Sequence, residues 1–343
     1  MKRLGFVYTH SIENGNPGTL SIRPHHLSWH VLSPREVFTS GPFASFSTNE
    51  WRETSSGEQH NLVLDQAYDL LPFHGVIGLA QYAVVGVGNL EPTRESKGLT
   101  SEVARTSRPS SWGGTDTVIS KKGASSYLIT VYREFSEQEV GGRMLTEWGF
   151  SPVPEPGANL AVAERFKDQS GFPAPVVLDK DQRLRLVYTY EVRLSPTLSD
   201  VNIRVEGLGE VRGSFGFRSA PTDVSGAYLL DYLVSGMVRS ENLGLPKISL
   251  HALPSPSYGD ARGLLASKEV LLADYVEGER QRRTLPTPFY PEDFSISGQR
   301  APIIIRSISL GYQEARFFIT FFDTGIPVDG LHLIKIGSFS VSW

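Results

Sequence analysis

From Arg183 to Leu194 the chain alternates apolar and polar residues with a period of two. Leu184, Leu186, Tyr188, Tyr190, Val192 and Leu194 share one side, while Arg183, Arg185, Thr189, Glu191 and Arg193 share the other, with Val187 the one apolar exception. Successive side chains of a strand point to opposite faces, so this segment is predicted to be an antiparallel strand with a buried side and a wet, charged side.

The same pattern recurs around it. SYLITVYREF (126–135), RMLTEWGF (143–150) after the Gly141-Gly142 turn, Asn202–Glu206 and Val211–Phe217 all read as strands. So do Ile303–Leu310, Phe317–Phe322 and Leu331–Trp343, and YAVVGVG (82–88) is a compact β run that ends in glycines. RFFITFF (316–322) is apolar on both sides, which requires cover on both by a second sheet or a neighbouring subunit. Asn61–Leu71 approximates helical spacing, with Asn61 able to cap it and Pro72 placed to stop it. A short helix is predicted around Ser101–Arg105, and the density of apolar residues in Ala227–Val238 fits helix and strand equally. Residues 1–60 alternate aromatics with turn formers and read as an irregular arm, equally a docking segment or a loop-rich cap.

These patterns predict a mainly β fold of antiparallel, sandwich-like sheets with one or two short helices and an extended N-terminal arm. The predicted organisation is an arm over 1–60, a helix-plus-strand entry region over 61–123, and a β-rich body over 124–343 that divides near 220. No fixed-period repeat marks a solenoid or propeller.

Composition narrows the function. The chain has 343 residues, 33 glycines, 22 prolines and no cysteine, with a net charge of −4. The glycines and prolines supply turns between short strands. The absence of cysteine removes disulfides, thiolate metal sites and cysteine nucleophiles. The acidic balance gives no electrostatic case for nucleic acid, and Arg280, Arg282 and Arg283 beside Glu277 and Glu279 read as a solvated loop. No apolar run reaches the ~20 residues of a membrane span, and the N-terminus carries no signal-like apolar core. The expectation is a soluble protein made in the cytoplasm.

Candidate chemistry is sparse. His25, His26 and His30 form H-H-x-x-x-H without an amphipathic helix to present them, and they read as structural. Gly86-Val-Gly88 opens like a dinucleotide loop, but Glu91 and Pro92 stand where a third glycine and a helix are needed, so it reads as a turn. The acidic pairs Asp179 with Asp181 and Glu137 with Glu139 lie in turn-like stretches, where acidic residues are common. Trp148 and Trp343 fall on apolar strand faces and read as core. Trp29, Trp51 and Trp112 lie in loop-like sequence and are the candidate ligand or interface aromatics. No catalytic residue, metal ligand or cofactor site is predicted.

Over 127–196 the succession VYREF, glycine turn, LTEWGF, AVAERF, VVLDKDQ and LRLVYTYEVRLSP resembles a family of tailed-bacteriophage virion proteins, described as tail, fibre or neck structural proteins. NLVLDQAYDLL with YAVVGVGNLEPTRESKGL, and the closing FFITFFDTGIPVDGLHLIKIGSFSVSW, are similar to elements of that family too. AERF departs from the family's usual SRA-type element, and residues 1–60 match none of it. The resemblance implies a non-enzymatic virion protein in the tail or neck, forming a homo-oligomeric fibre or collar, with a trimer favoured. It implies other tail or neck proteins as partners, and no nucleic acid or membrane insertion. The expected mechanism has the arm dock onto a partner ring, so that removing residues 1–60 leaves a folded protein unable to join particles. Two alternatives remain open from the residues: a lectin-like module recognising host surface glycan, and a glycan depolymerase.

Overall fold

The computed structural model describes residues 3–7, 19–40, 45–110, 116–194, 199–205, 209–220, 222–237, 244–254, 263–294, 303–322, 325–328, 333–336 and 340–343. The chain is mainly β, in antiparallel sheets with three α-helices among these residues. It divides into two compact units, one of Met1–Ser21, Ser120–Tyr127 and Val192–Trp343, the other of Ile22–Ile119 and Leu128–Glu191. Each gathers segments far apart in sequence, because antiparallel sheets pair distant strands. The expected boundaries at 60 and 123 therefore mark no unit.

In the unit of Ile22–Ile119 and Leu128–Glu191, two five-stranded sheets enclose an aromatic core. The hairpin sheet runs in the order Ser45–Gln59, Leu20–Ser40, Arg183–Leu194, Ser126–Phe135, Thr117–Gly123. The other sheet runs Leu62–Val63, Val162–Arg165, Glu147–Ser151, Tyr82–Gly86, Glu102–Thr106. Tyr188 stacks on Phe150 with ring centroids 4.9 Å apart, and on Tyr190 at 5.3 Å. Trp148 meets Phe150 edge-on at 6.2 Å. The Tyr190 hydroxyl donates to the Val76 carbonyl (2.7 Å), and Asn61 Nδ2 donates to the Tyr188 hydroxyl (3.1 Å). Burial holds the Tyr188 hydroxyl well above the usual phenol range.

The strand Arg183–Leu194 has the predicted bounds, and its Leu184–Leu194 even side is buried throughout. Its other side differs from expectation. Arg185 and Thr189 are buried as well, because charged and hydroxyl partners on the neighbouring strands close over them.

Where it is described, the expected irregular arm is regular strand; residues 1–2, 8–18 and 41–44 of it lie outside the described residues. Leu20–Ser40 and Ser45–Gln59 pair in a long antiparallel hairpin, with a bulge where Val31 faces Ser55 and Leu32 faces Glu53. Leu20–Ser40 is an interior strand of its sheet, so removing residues 1–60 would strip the sheet of two strands rather than detach an arm.

One predicted helix is displaced and another fails. The first helix is Gln66–Gly78, and Asn61 bonds Tyr188 instead of capping it. Pro72 lies inside it, and the break comes at Gly75, whose φ of 69° suits glycine. Glu102–Thr106 is a strand paired with Tyr82–Gly86, not a helix, because pairing with a buried neighbour outweighs local preference.

In the other unit a nine-stranded sheet runs Leu264–Glu269, Lys247–His251, Ser307–Tyr312, Ala315–Phe321, Gly209–Arg218, Ser199–Val205, Arg3–Val7, Leu333–Ile336, Thr287–Phe289. The pair Arg3–Val7 with Leu333–Ile336 is parallel. The two end strands approach each other: Lys268 Nζ donates to the Pro288 carbonyl (2.8 Å), pairs with Asp293 (2.5 Å) and lies over the Phe289 and Tyr290 rings. Ala227–Val238 resolves as the helix Ser225–Ser235, buried along nearly its whole circumference, which its apolar sequence permits. Gly236 ends it in the left-handed conformation. Arg282 donates to the Val234 carbonyl (3.3 Å) at that negative end of the helix dipole.

RFFITFF proves one-sided, with Phe317, Ile319 and Phe321 buried and Phe318 half-buried beneath the Arg218 guanidinium at 5.4 Å. Trp343 is half-buried against Tyr275 rather than in the core, whereas Trp148 is wholly buried.

Candidate interaction face and arm

The outer face of the hairpin sheet carries a continuous set of charged contacts. His30 Nδ1 meets Glu53 Oε2 at 2.8 Å. The Ser56 hydroxyl, with smaller contributions from His30 and Arg185, holds the Glu53 carboxyl below its ordinary range against the opposing effect of burial. Arg185 donates twice to Glu134 Oε2 (3.0 and 3.3 Å). Arg183 reaches the other oxygen of Glu134 at 3.5 Å and donates to Glu137 Oε2 at 2.6 Å. Those two arginines neutralise Glu134, which is 1% exposed. Burying an unpaired carboxylate would be far costlier.

The Arg183 guanidinium also lies over the Trp51 ring, 3.8 Å from its centroid. Trp51 sits opposite Pro34 in the hairpin. One residue earlier Gln182 Nε2 donates to Ser33 Oγ (3.0 Å), and the strand Arg183–Leu194 begins there. Beyond Ser33 the hairpin has no strand neighbour on that side among the described residues, and residues 34–40 pair with 45–51 as a two-stranded arm. At ~3.3 Å per residue the arm projects about 20 Å beyond the Arg183–Leu194 strand. Trp51, Arg183, Glu134 and Glu137 together clamp its root.

The predicted aromatics do not form one platform. Trp29 lies over Gly57, where any Cβ would meet the ring at 2.6 Å, and meets Phe166 edge-on at 6.4 Å. Trp29 and Pro34 are an odd number of residues apart on one strand, so Trp29 and Trp51 face opposite sides of the sheet. Both were expected in loops and both lie on strands. Trp112 lies outside the described residues.

The other candidates hold structural contacts. Glu139 closes a capping box on Ser136 and pairs with Arg108 (3.0 Å). Asp179 and Gln182 bracket a turn that contains Asp181. His25 and His26 contact each other through their Nδ1 atoms on the strand Leu20–Ser40. Among the described residues no group of three or more His, Asp or Glu is arranged to hold a metal ion.

Gly86 and Gly88 border an anion cradle that the protein fills itself. Gly88, Thr100 and Ser101 donate their backbone N–H groups to the Glu147 carboxylate at 2.9, 3.0 and 2.7 Å. A Cβ on Gly86 would lie 2.5 Å from the Ser101 carbonyl and 2.6 Å from Glu147 Oε1, so the glycines make room for a carboxylate rather than a phosphate. The G-x-G spacing hinted at this cradle; its occupant comes from a strand some sixty residues later.

Comparison with protein-family models, curated proteins and solved structures yields no match. No helix among the described residues is long and apolar enough to cross a membrane.

Proposed function

We propose that the chain is a non-enzymatic structural protein of a tailed-phage virion, assembling with copies of itself and with neighbouring tail or neck proteins. The observation that carries this reading is the arm. An isolated two-stranded ribbon is marginal in water, yet this one is held at its root by Trp51, Arg183 and two glutamates. A ribbon fixed at its base and extended beyond its sheet suits insertion against another subunit. The likeness of residues 127–196 and of the C-terminal segment to tail and neck proteins gives the class of assembly.

The docking element in this reading is the hairpin tip, not the first sixty residues. The test replaces residues 36–49 by Asn-Gly, which joins Arg35 to Glu50 through a two-residue turn. The shortened chain is expected to fold and to be missing from particles that incorporate the intact chain, as followed by antibody labelling in electron micrographs. Equal labelling of particles carrying either chain would contradict the reading.

A further inference from the structure

Ser45–Gln59 is the end strand of the hairpin sheet, so one backbone edge of it has no strand partner among the described residues. Edges of this kind are usually blunted by charged side chains, lysine above all, by proline or by a bulge. Here the bulge lies at Thr54, between the paired residues Glu53 and Ser55, and neither lysine nor proline occurs between Ser45 and Gln59. The stretch leading up to the bulge is left open for pairing. In it Glu50 and Arg52 are exposed and flank the half-buried Trp51.

We infer that this edge pairs antiparallel with the same edge of a second copy, about a two-fold axis at Trp51. The inference rests on the assembly reading and names its partner and contact. Pairing about Trp51 sets Glu50 of each copy opposite Arg52 of the other, giving two opposite-charge cross-strand pairs. The nearby registers are worse. Centring on Arg52 sets arginine against arginine, and centring on Glu50 or Glu53 sets glutamate against glutamate. A shift of one residue toward Arg52 sets Glu50 against Glu53, and the opposite shift forfeits both charge pairs by setting Arg52 against Asn49. Centring between Arg52 and Glu53 also matches charges but runs straight into the bulge, which interrupts a ladder. The Trp51 register keeps five regular positions, 49–53, about the length of an average strand. The contact is isologous and joins the two hairpin sheets edge to edge.

The sequence contains no cysteine, so a single introduced one reports on its own position. Residues directly opposite across an antiparallel pair have Cα atoms about 4.5–5.5 Å apart, within disulfide reach. Trp51→Cys in the full chain is expected to give mostly disulfide-linked dimer under mild oxidation, and Ser55→Cys, which has no counterpart cysteine opposite it, to give little. Because Trp51→Cys also loosens the arm root, a charge exchange provides the second test. Glu50→Arg and Arg52→Glu are each expected to halve the solution mass or weaken self-association at least tenfold, and the double variant to restore it. Association indifferent to both single exchanges, or an odd number of copies, would overturn the edge contact while leaving assembly intact. A monomeric parent chain would overturn both.

Discussion

Arg183 and Trp51 join the first residue of a core strand to the root of the projecting hairpin, with guanidinium and indole 3.8 Å apart. Glu134 and Glu137 orient that arginine from beneath. The planar guanidinium can stack and pair at once, which a lysine ammonium cannot do equally well. Arg183→Ala is expected to destabilise the chain by about 1–3 kcal/mol, because a stack is lost and buried Glu134 loses one of its two arginines. Arg183→Lys should recover only part of this. Urea unfolding with tryptophan fluorescence would measure both, and equal stability of all three chains would refute the clamp.

The carboxylate of Glu147 organises the loop from Gly88 to Ser101. Glu147→Gln keeps the shape but removes the charge and turns an NH2 group toward backbone donors. A loss of about 2–3 kcal/mol is expected. Hydrogen exchange at the Thr100 and Ser101 amides should rise with it. Unchanged protection there would mean that the loop holds itself.

His251 is buried in the nine-stranded sheet, with Nε2 2.9 Å from Ser309 Oγ. Burial, with a smaller push from Arg316, lowers its pKa to about 4. The unfolded chain takes up this proton near pH 6.5, whereas the folded chain resists it until about pH 4. The stability that His251 contributes is therefore complete above about pH 6.5 and falls as pH drops toward 4. At about 1.4 kcal/mol per pKa unit the full loss is about 3–3.5 kcal/mol. A His251→Gln chain should show a shallower fall in Tm over that range, and identical slopes would contradict the assignment.

How far the sequence led depends on which interactions each element uses. The strand Arg183–Leu194 was legible to the residue because its even side meets an aromatic core built from Trp148, Phe150 and Tyr190. The hairpin was not. Leu27, Trp29 and Val31 pack inward while His30 and Glu53 pair on the outer face, and Pro34 suggests a loop. That proline follows Ser33 where the ladder on one side ends, a place where a missing N–H is tolerated. Trp51 was legible as an interface candidate, but Arg183, Glu134 and Glu137 around it were not. Alternation predicts a wet face there, and only the fold brings opposite charges together to bury it.

In the proposed assembly the chain self-associates through the edge at the root of the hairpin arm. The most direct measurement is the solution mass of the intact chain beside that of the Glu50→Arg chain, by light scattering after size exclusion. A discrete oligomer with an even number of copies is expected for the intact chain, and a folded species of half that mass for Glu50→Arg. A monodisperse monomer for the intact chain, at concentrations where the protein is folded, would contradict that assembly.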